Sequence, residues 1–313
     1  MKKVYTFIPL NEKHKKQIEL AGIGCEFKHF GKEKPTIEQI QDANIIIGNV
    51  NPNLLKHCPN LEFVQLNSAG TNGYTDEGVL SEKVQLANAS GAYGIAISEC
   101  MITGLLSLMK HMPAYLKNQE NHQWKDEGKV HSIYNSNTLV IGLGNLGTEF
   151  AKRMHALGSH VTAVKRTIIE TPEYIDSIHT IDELDSLIEK ADIIACTLPG
   201  SNQTYHLFDK ARLQHVKKGT YFINVGRGTL IDTELLATAL NNEVFAGAYV
   251  DVTDPEPLPS QSNLWDAKNC IITPHVTGGY HLDETLNRII SICCENLRHV
   301  CLNEEIINKI RLK

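Results

Sequence analysis

Residues 137–167, NTLVIGLGNLGTEFAKRMHALGSHVTAVKRT, decide the fold. An apolar run leads into Gly142, Gly144 and Gly147, which have G-x-G-x-x-G spacing. A helix-like stretch follows and ends at Gly158. Strand, glycine turn and helix in that order form the context in which this spacing binds a dinucleotide. The glycines permit a tight turn and let a pyrophosphate approach the main chain at a helix N-terminus. An acidic residue that bonds the ribose hydroxyls is expected about 20 residues further on. Here the second strand, HVTAV, runs into Lys165, Arg166 and Thr167, and no acid appears before Glu170. Two cations and a hydroxyl suit a 2′-phosphate, because ammonium and guanidinium groups make charge-assisted bonds to phosphate oxygens. This points to NADP(H); the alternative is that Lys165 and Arg166 are ordinary solvated charges.

The 313 residues suffice for two domains with sizeable cores. Apolar residues make up 42% and charged residues 21%, as expected of a globular chain. A net charge of -6 without a long basic run argues against nucleic acid or an anionic membrane as the main partner. The opening MKKVYTFIPL reads as a strand rather than a leader, since its apolar run is short and ends at Pro9. IAISECMITGLLSLM contains Glu99 and several hydroxyls, and falls short of a membrane span. The eight cysteines lack CxxC spacing and are expected to be free thiols in a reducing cytoplasm. No His/Cys cluster has zinc spacing, so no metal is expected.

Strand-like and helix-like segments alternate. KVYTFI, NIIIG, LEFVQL and KVQLAN are short apolar runs of the kind that forms buried parallel strands, and they give one α/β unit over about residues 1–92. Asn11 and Thr36 are candidate helix caps. One long amphipathic helix is expected near residues 95–117. A second series runs through TLVI, HVTAV, ADIIACTL, GTYFINV, AGAYVDV and NCIIT, and a helix is expected over about 283–304. The architecture is therefore α/β, with two doubly wound parallel-sheet domains. Ligands of such sheets sit beyond the carboxyl ends of the strands, which makes the cleft between the domains the expected site.

Three further segments place polar side chains at strand ends. In FINVGRGTLID, Arg227 lies between Gly226 and Gly228, and glycines there would let the main chain come close to a ligand. Its guanidinium is a planar fork suited to a carboxylate. In YVDVTDPEPLP, Asp251 ends a strand and Glu256 is held between Pro255 and Pro257. In CIITPHVTGGY, His275 follows a strand and precedes Gly278 and Gly279. A carboxylate beside an imidazole favours the protonated ring and orients it. The imidazolium can then protonate a carbonyl oxygen as hydride reaches the carbon, while an arginine holds the substrate.

GLGNLG, LPGSNQTYHLF, INVGRGTLIDTELLATAL, DVTDPEPLPSQSNLW and ITPHVTGG resemble, in order and spacing, the D-isomer-specific 2-hydroxyacid dehydrogenases. LNSAGTNG and NASGAYGIAISE extend the resemblance more weakly into the first domain. It implies a flavodoxin-like substrate domain of residues 1–93 plus 283–313 and a Rossmann cofactor domain of residues 94–282. It implies a catalytic set of Arg227, Glu256 and His275, with Ser68, Ala69 and Gly70 offering main-chain N–H groups to the substrate carboxylate. Asp251 would bond the nicotinamide amide, and Asn145 and Leu146 would meet the pyrophosphate. Thr197, Leu198, Pro199, Thr204, Val225, Gly226 and Gly278 would complete the cofactor site, and the enzyme would be a homodimer. Lys165 and Arg166 resemble the NADP-preferring glyoxylate/hydroxypyruvate reductases. Thr277 departs from the small residue usual two places after the histidine. Glu256 sets the chain apart from formate dehydrogenases, which use an amide there.

The expected reaction is NADPH-dependent reduction of a small 2-oxo acid (glyoxylate, hydroxypyruvate or pyruvate-like) to the D-2-hydroxy acid, in the cytoplasm, with NAD(H) also possible. The rivals are an NAD-linked D-lactate-type or branched 2-oxo acid reductase and, from another class, a silent dinucleotide-sensing corepressor. The complete catalytic set and the lack of an added tail argue against the corepressor.

Overall fold

The structure is a computed structural model and describes residues 1–311. The chain divides into two compact units, Met1–Tyr93 with Tyr280 onward, and Gly94–Gly279. In the first unit the chain alternates β1 (Lys3–Thr6), α1 (Glu12–Ala21), β2 (Glu26–His29), α2 (Ile37–Ile40), β3 (Ile45–Ile47), α3 (Pro52–Leu55), β4 (Phe63–Gln65) and β5 (Gln85–Ala87). The Asn11 side chain accepts from the His14 N–H and starts α1, while Gln39 reaches back to the Thr36 N–H at 2.8 Å and starts α2. Both capping expectations follow from exposed first-turn donors that need acceptors.

The second unit opens with α4 (Gly94–Met109) and α5 (Met112–Glu120). These replace the single helix expected over 95–117. The two axes differ by 68°, and His111 at the break has φ 56°. Pro113 is the cause: in a continuous helix it would offer no N–H to the Met109 carbonyl and would clash with it. No single helix among the described residues is long and apolar enough to cross a membrane; the bent α4–α5 pair passes by composition only, and α4 buries Met101, Leu105, Leu108 and Met109 in the core.

The chain continues through β6 (Asn137–Ile141), α6 (Asn145–Ala156), β7 (His160–Val164), β8 (Ser177–His179), α7 (Leu184–Ile188), β9 (Ile193–Cys196), β10 (Thr220–Asn224), α8 (Thr233–Asn241), β11 (Phe245–Val250) and β12 (Cys270–Ile272). These strands form one parallel sheet in the order β12-β11-β10-β9-β6-β7-β8. β9 and β10 are buried along their whole length, the reason for their continuous apolar runs. The edge strands β2 and β8 are only half buried, and their polar sequences EFKH and SIH escape the sequence analysis.

The return to the first unit comes at Tyr280, three residues before the expected 283. Tyr280 packs on the first unit's core, and Asn67 donates to its hydroxyl. Helix α9 (Asp283–Leu302) then lies against α1, and β13 (Lys309–Ile310) pairs antiparallel with β5, completing the order β13-β5-β4-β3-β1-β2. Asn296, fully buried on α9, donates to Gln65 Oε1 (2.7 Å) and the Ile307 carbonyl (3.0 Å), and accepts from the Ile307 N–H (2.8 Å). Replacing Asn296 with Ala strands these buried groups, so Asn296→Ala should cost about 3 kcal/mol in urea unfolding of the first unit.

Candidate functional site

The parallel register of the second unit sets the site. Val164, Ile141, Cys196, Asn224, Val250 and Ile272 pair in one continuous row across the sheet. Immediately past that row come Lys165, Gly142, Thr197, Val225, Asp251 and Thr273. Residues far apart in sequence therefore start from one level at the carboxyl edge.

The three glycines of the turn serve three different needs. Gly142 has φ 104°, a conformation that side chains resist. A Cβ on Gly147 would stand 2.1 Å from the Gly142 carbonyl oxygen, so helix α6 can follow the turn only with glycine there. A Cβ on Gly144 would meet nothing within 4 Å; this face is open to a ligand. Gly144 supplies no side-chain cap, and among the described residues the N–H groups of Asn145, Leu146 and Gly147 have no acceptor. An open main-chain face with unspent donors at a helix N-terminus fits a dinucleotide pyrophosphate. Thr197 braces the turn by donating to the Gly142 carbonyl at 2.6 Å.

Lys165 does not project freely. Its ammonium donates to the Leu143 carbonyl at 2.7 Å, which fastens the end of β7 to the glycine turn and brings its charge there. Arg166 and Thr167 are exposed, and no ion pair with Arg166 occurs among the described residues.

Several of these residues already serve contacts within the protein. The glycines around Arg227 make room for main chain rather than ligand: a Cβ on Gly226 would stand 2.5 Å from the Leu198 carbonyl oxygen, and one on Gly228 only 1.9 Å from that of Thr253. Arg227 itself spends one guanidinium N–H on the Gly226 carbonyl (2.7 Å), which leaves the rest of the fork available. The Thr204 hydroxyl is used inside its own loop, donating to the Pro199 carbonyl (3.0 Å) and accepting from the Ser201 N–H (2.9 Å). Asn145 lies against Gly94, where a Cβ would come 2.6 Å from its Oδ1.

Asp251 is the most fully engaged of these residues. It is 3% exposed, and its carboxylate is committed to the segment that carries His275. Oδ1 accepts from the Thr273 hydroxyl (2.6 Å) and the Val276 N–H (3.0 Å); Oδ2 accepts from the Thr277 hydroxyl (2.5 Å) and N–H (3.3 Å). All four donors belong to the segment 273–277. These bonds also account for Thr277, whose hydroxyl has a buried anion to serve. Behind them, Tyr249 lies within 3.1 Å of the Thr273 hydroxyl; burial pushes the phenol up to about 12, which keeps it protonated. Sequence alone concealed this network, because threonines at 273 and 277 look like ordinary strand and loop residues.

His275, with φ 51°, is anchored through its own N–H to the Asp251 carbonyl at 2.9 Å. Its Nδ1 lies 2.8 Å from Glu256 Oε2, while Glu256 Oε1 accepts from the Thr253 N–H at 3.2 Å. The ring is therefore oriented from one side, and among the described residues Nε2 has no protein partner. An imidazole oriented by a carboxylate, with its other ring nitrogen unpaired, is an arrangement capable of acid–base chemistry.

In the first unit, the loop after β4 turns its carbonyls to protein donors. Ala89 N–H bonds the Ser68 carbonyl (2.9 Å), Asn88 Nδ2 that of Ala69 (2.7 Å), and the Ser68 hydroxyl that of Gly70 (2.7 Å). The N–H groups of Ser68, Ala69 and Gly70 have no acceptor among the described residues. Unspent adjacent donors of this kind suit a carboxylate.

The family described as "D-isomer specific 2-hydroxyacid dehydrogenase, NAD binding domain" matches residues 102–277, more than half of the chain. This chain belongs to that family and is an oxidoreductase with an NAD(P)-binding domain. It is 31% identical to a hydroxypyruvate reductase of Blautia hydrogenotrophica over 83% of each chain. To a glyoxylate reductase of Thermofilum pendens it is 26% identical over 86% of this chain and 81% of that one. A crystal structure of a D-isomer specific 2-hydroxyacid dehydrogenase family protein from Aeromonas salmonicida superposes with a TM-score of 0.88 at 26% identity, covering 100% of this chain and 99% of that chain.

The glycine geometry makes a paired prediction. Gly147→Ala should lower the melting temperature and abolish dinucleotide binding together. Gly144→Ala should leave melting within about 1 °C, as an unhindered surface change does, yet weaken binding roughly tenfold or more by blocking main-chain approach. Thermal melts and dinucleotide fluorescence titration of both variants read the difference.

Proposed function

We propose that the enzyme reduces a small 2-oxo acid of the glyoxylate or hydroxypyruvate kind to the D-2-hydroxy acid, with NADPH preferred and His275 as proton donor. The His275–Glu256 pair, 2.8 Å apart just beyond the row of strand ends, carries this reading. The relatives named as glyoxylate and hydroxypyruvate reductases support the substrate class. The bound nicotinamide supplies the hydride. The open Gly144 face and the free N–H groups of residues 145–147 hold the pyrophosphate. Arg166, with Lys165 beside it, takes the 2′-phosphate. Asp251 fixes the main chain of residues 273–277, and through it the height of the imidazole. Glu256 holds Nδ1, so that Nε2 gives its proton to the substrate oxygen. The main-chain donors of Ser68, Ala69 and Gly70 take the substrate carboxylate, and the fork of Arg227 suits the same class of acid group.

The homodimer belongs to the same proposal. The segment from Met112 to Tyr134 exposes a run of large apolar side chains, Met112 by 43%, Leu116 by 55%, Trp124 by 105% and Tyr134 by 75%, which a second copy would cover. An NAD-linked reductase is the second reading. Lys165 favours it, since its ammonium already has a carbonyl partner.

Initial rates with NADPH and NADH separate the two. In the double variant Lys165→Ala, Arg166→Ala, kcat/KM for NADPH should fall by roughly 100-fold, as expected when two charge-assisted contacts are lost, while that for NADH stays within about threefold. Equal losses would remove the phosphate reading. His275→Ala should lower kcat by about 1,000-fold, within the range for a lost general acid, with NADPH affinity unchanged. A variant that keeps most of its turnover would take His275 out of the mechanism.

A further inference from the structure

Asn67, immediately before the Ser68–Gly70 loop, is held by two tyrosines that flank the chain's two passages between units. Tyr93 is the last residue before the chain enters the second unit, and Tyr280 the first after it returns. The Tyr93 hydroxyl donates to the Asn67 carbonyl, and Asn67 Nδ2 donates to the Tyr280 hydroxyl. Asn67 is also locked to Asn49 by reciprocal bonds: the Asn49 N–H donates to Asn67 Oδ1 (2.6 Å), and the Asn67 N–H to Asn49 Oδ1 (3.0 Å). Every polar group of Asn67 therefore has a partner.

The order of these bonds along the chain matters. The carbonyls of Asn67, Ser68, Ala69 and Gly70 are bonded in turn by Tyr93, Ala89, Asn88 and Ser68. A peptide unit whose carbonyl is held has its N–H direction set too, because the unit is planar. The Asn67 carbonyl belongs to the same peptide unit as the Ser68 N–H. Tyr93 thus orients the first donor of the loop, and Tyr280 holds the side chain of the residue that supplies that carbonyl. Both rings pack in the first unit's core, where phenylalanine would serve equally well, so the hydroxyls are used for these bonds alone. Burial raises both phenols, which keeps them as O–H groups across the working pH range.

We infer that Tyr93 and Tyr280 are positioning residues for 2-oxo acid binding, acting through Asn67 on the main-chain donors of Ser68–Gly70. This inference rests on the proposed function, since it assigns those donors to the substrate carboxylate. The test uses Tyr93→Phe, Tyr280→Phe and the double variant of the full chain. KM for glyoxylate and hydroxypyruvate should rise about fivefold in each single variant, the scale of one lost buried hydrogen bond, and further in the double. Values of kcat should stay within about twofold and NADPH affinity should not change, because the two hydroxyls bond Asn67 and not Arg227, Glu256 or His275. An unchanged KM in the double variant would overturn the inference, as would a lowered melting temperature with no change in KM. If the unaltered enzyme turns over neither acid, the functional reading fails first, and amide hydrogen exchange at Asn67 and Ala89 decides the positioning role alone. Faster exchange in both phenylalanine variants supports it, and unchanged exchange overturns it.

Discussion

The register of the seven-stranded sheet is the constraint from which the rest follows. Parallel pairing brings Val164, Ile141, Cys196, Asn224, Val250 and Ile272 to one level, and the chain leaves the sheet at that level six times. A slip of one residue in any strand would exchange the side chains of its two faces and disrupt the packing on both sides of the sheet. Burial of the apolar runs therefore secures the register, and the register places a cation, a glycine turn, a threonine brace, an aspartate and a histidine along one edge.

At that edge the main chain is packed as tightly as the core. Gly147 against the Gly142 carbonyl, Gly226 against Leu198 and Gly228 against Thr253 are all contacts in which any side chain would strike a backbone oxygen. Loops crossing one another at this distance cannot drift independently. Asp251 adds an electrostatic tie. A buried carboxylate is costly unless its oxygens are satisfied, and four donors from residues 273, 276 and 277 satisfy it. The cost of burying the charge and the order of the histidine segment are thus linked: the segment cannot loosen without leaving an anion unsolvated.

Much of this was legible in the sequence, and the reasons are specific. The buried strands announce themselves because burial on both faces demands unbroken apolar runs, and the glycine turn because no other residue tolerates its geometry. Arg227, Glu256 and His275 stand out because each follows a strand beside glycine or proline. The edge strands β2 and β8 were hidden, since half-exposed strands carry polar residues, and β13, with two residues, has no pattern to read. The helix break at Lys110–His111 turns on one proline whose effect was outweighed by the apolar periodicity around it. The partners of Asp251 and the latch on Asn67 were illegible for another reason. Hydrogen bonds between residues more than 20 positions apart leave no local spacing, and tyrosine and threonine serve equally well as core and strand residues.

The cations after β7 illustrate how a sequence feature divides into separate roles once placed. Both suit a phosphate by residue type, yet Lys165 is partly a structural residue, tying its strand end to the Leu143 carbonyl. A carbonyl partner lowers none of its charge, so Lys165 still makes the edge positive while losing the freedom to follow a ligand. Arg166 keeps that freedom, and its planar fork can meet two phosphate oxygens at once. No carboxylate among the described residues pairs with either side chain, so the positive potential beside the turn is not cancelled by an ion pair. A diphosphate bridge and a ribose phosphate both gain from such a field, but only the ribose phosphate gains from the fork. The two cations therefore differ in what they can offer a ligand: Lys165 a charge held in place by the Leu143 carbonyl, and Arg166 a free planar fork.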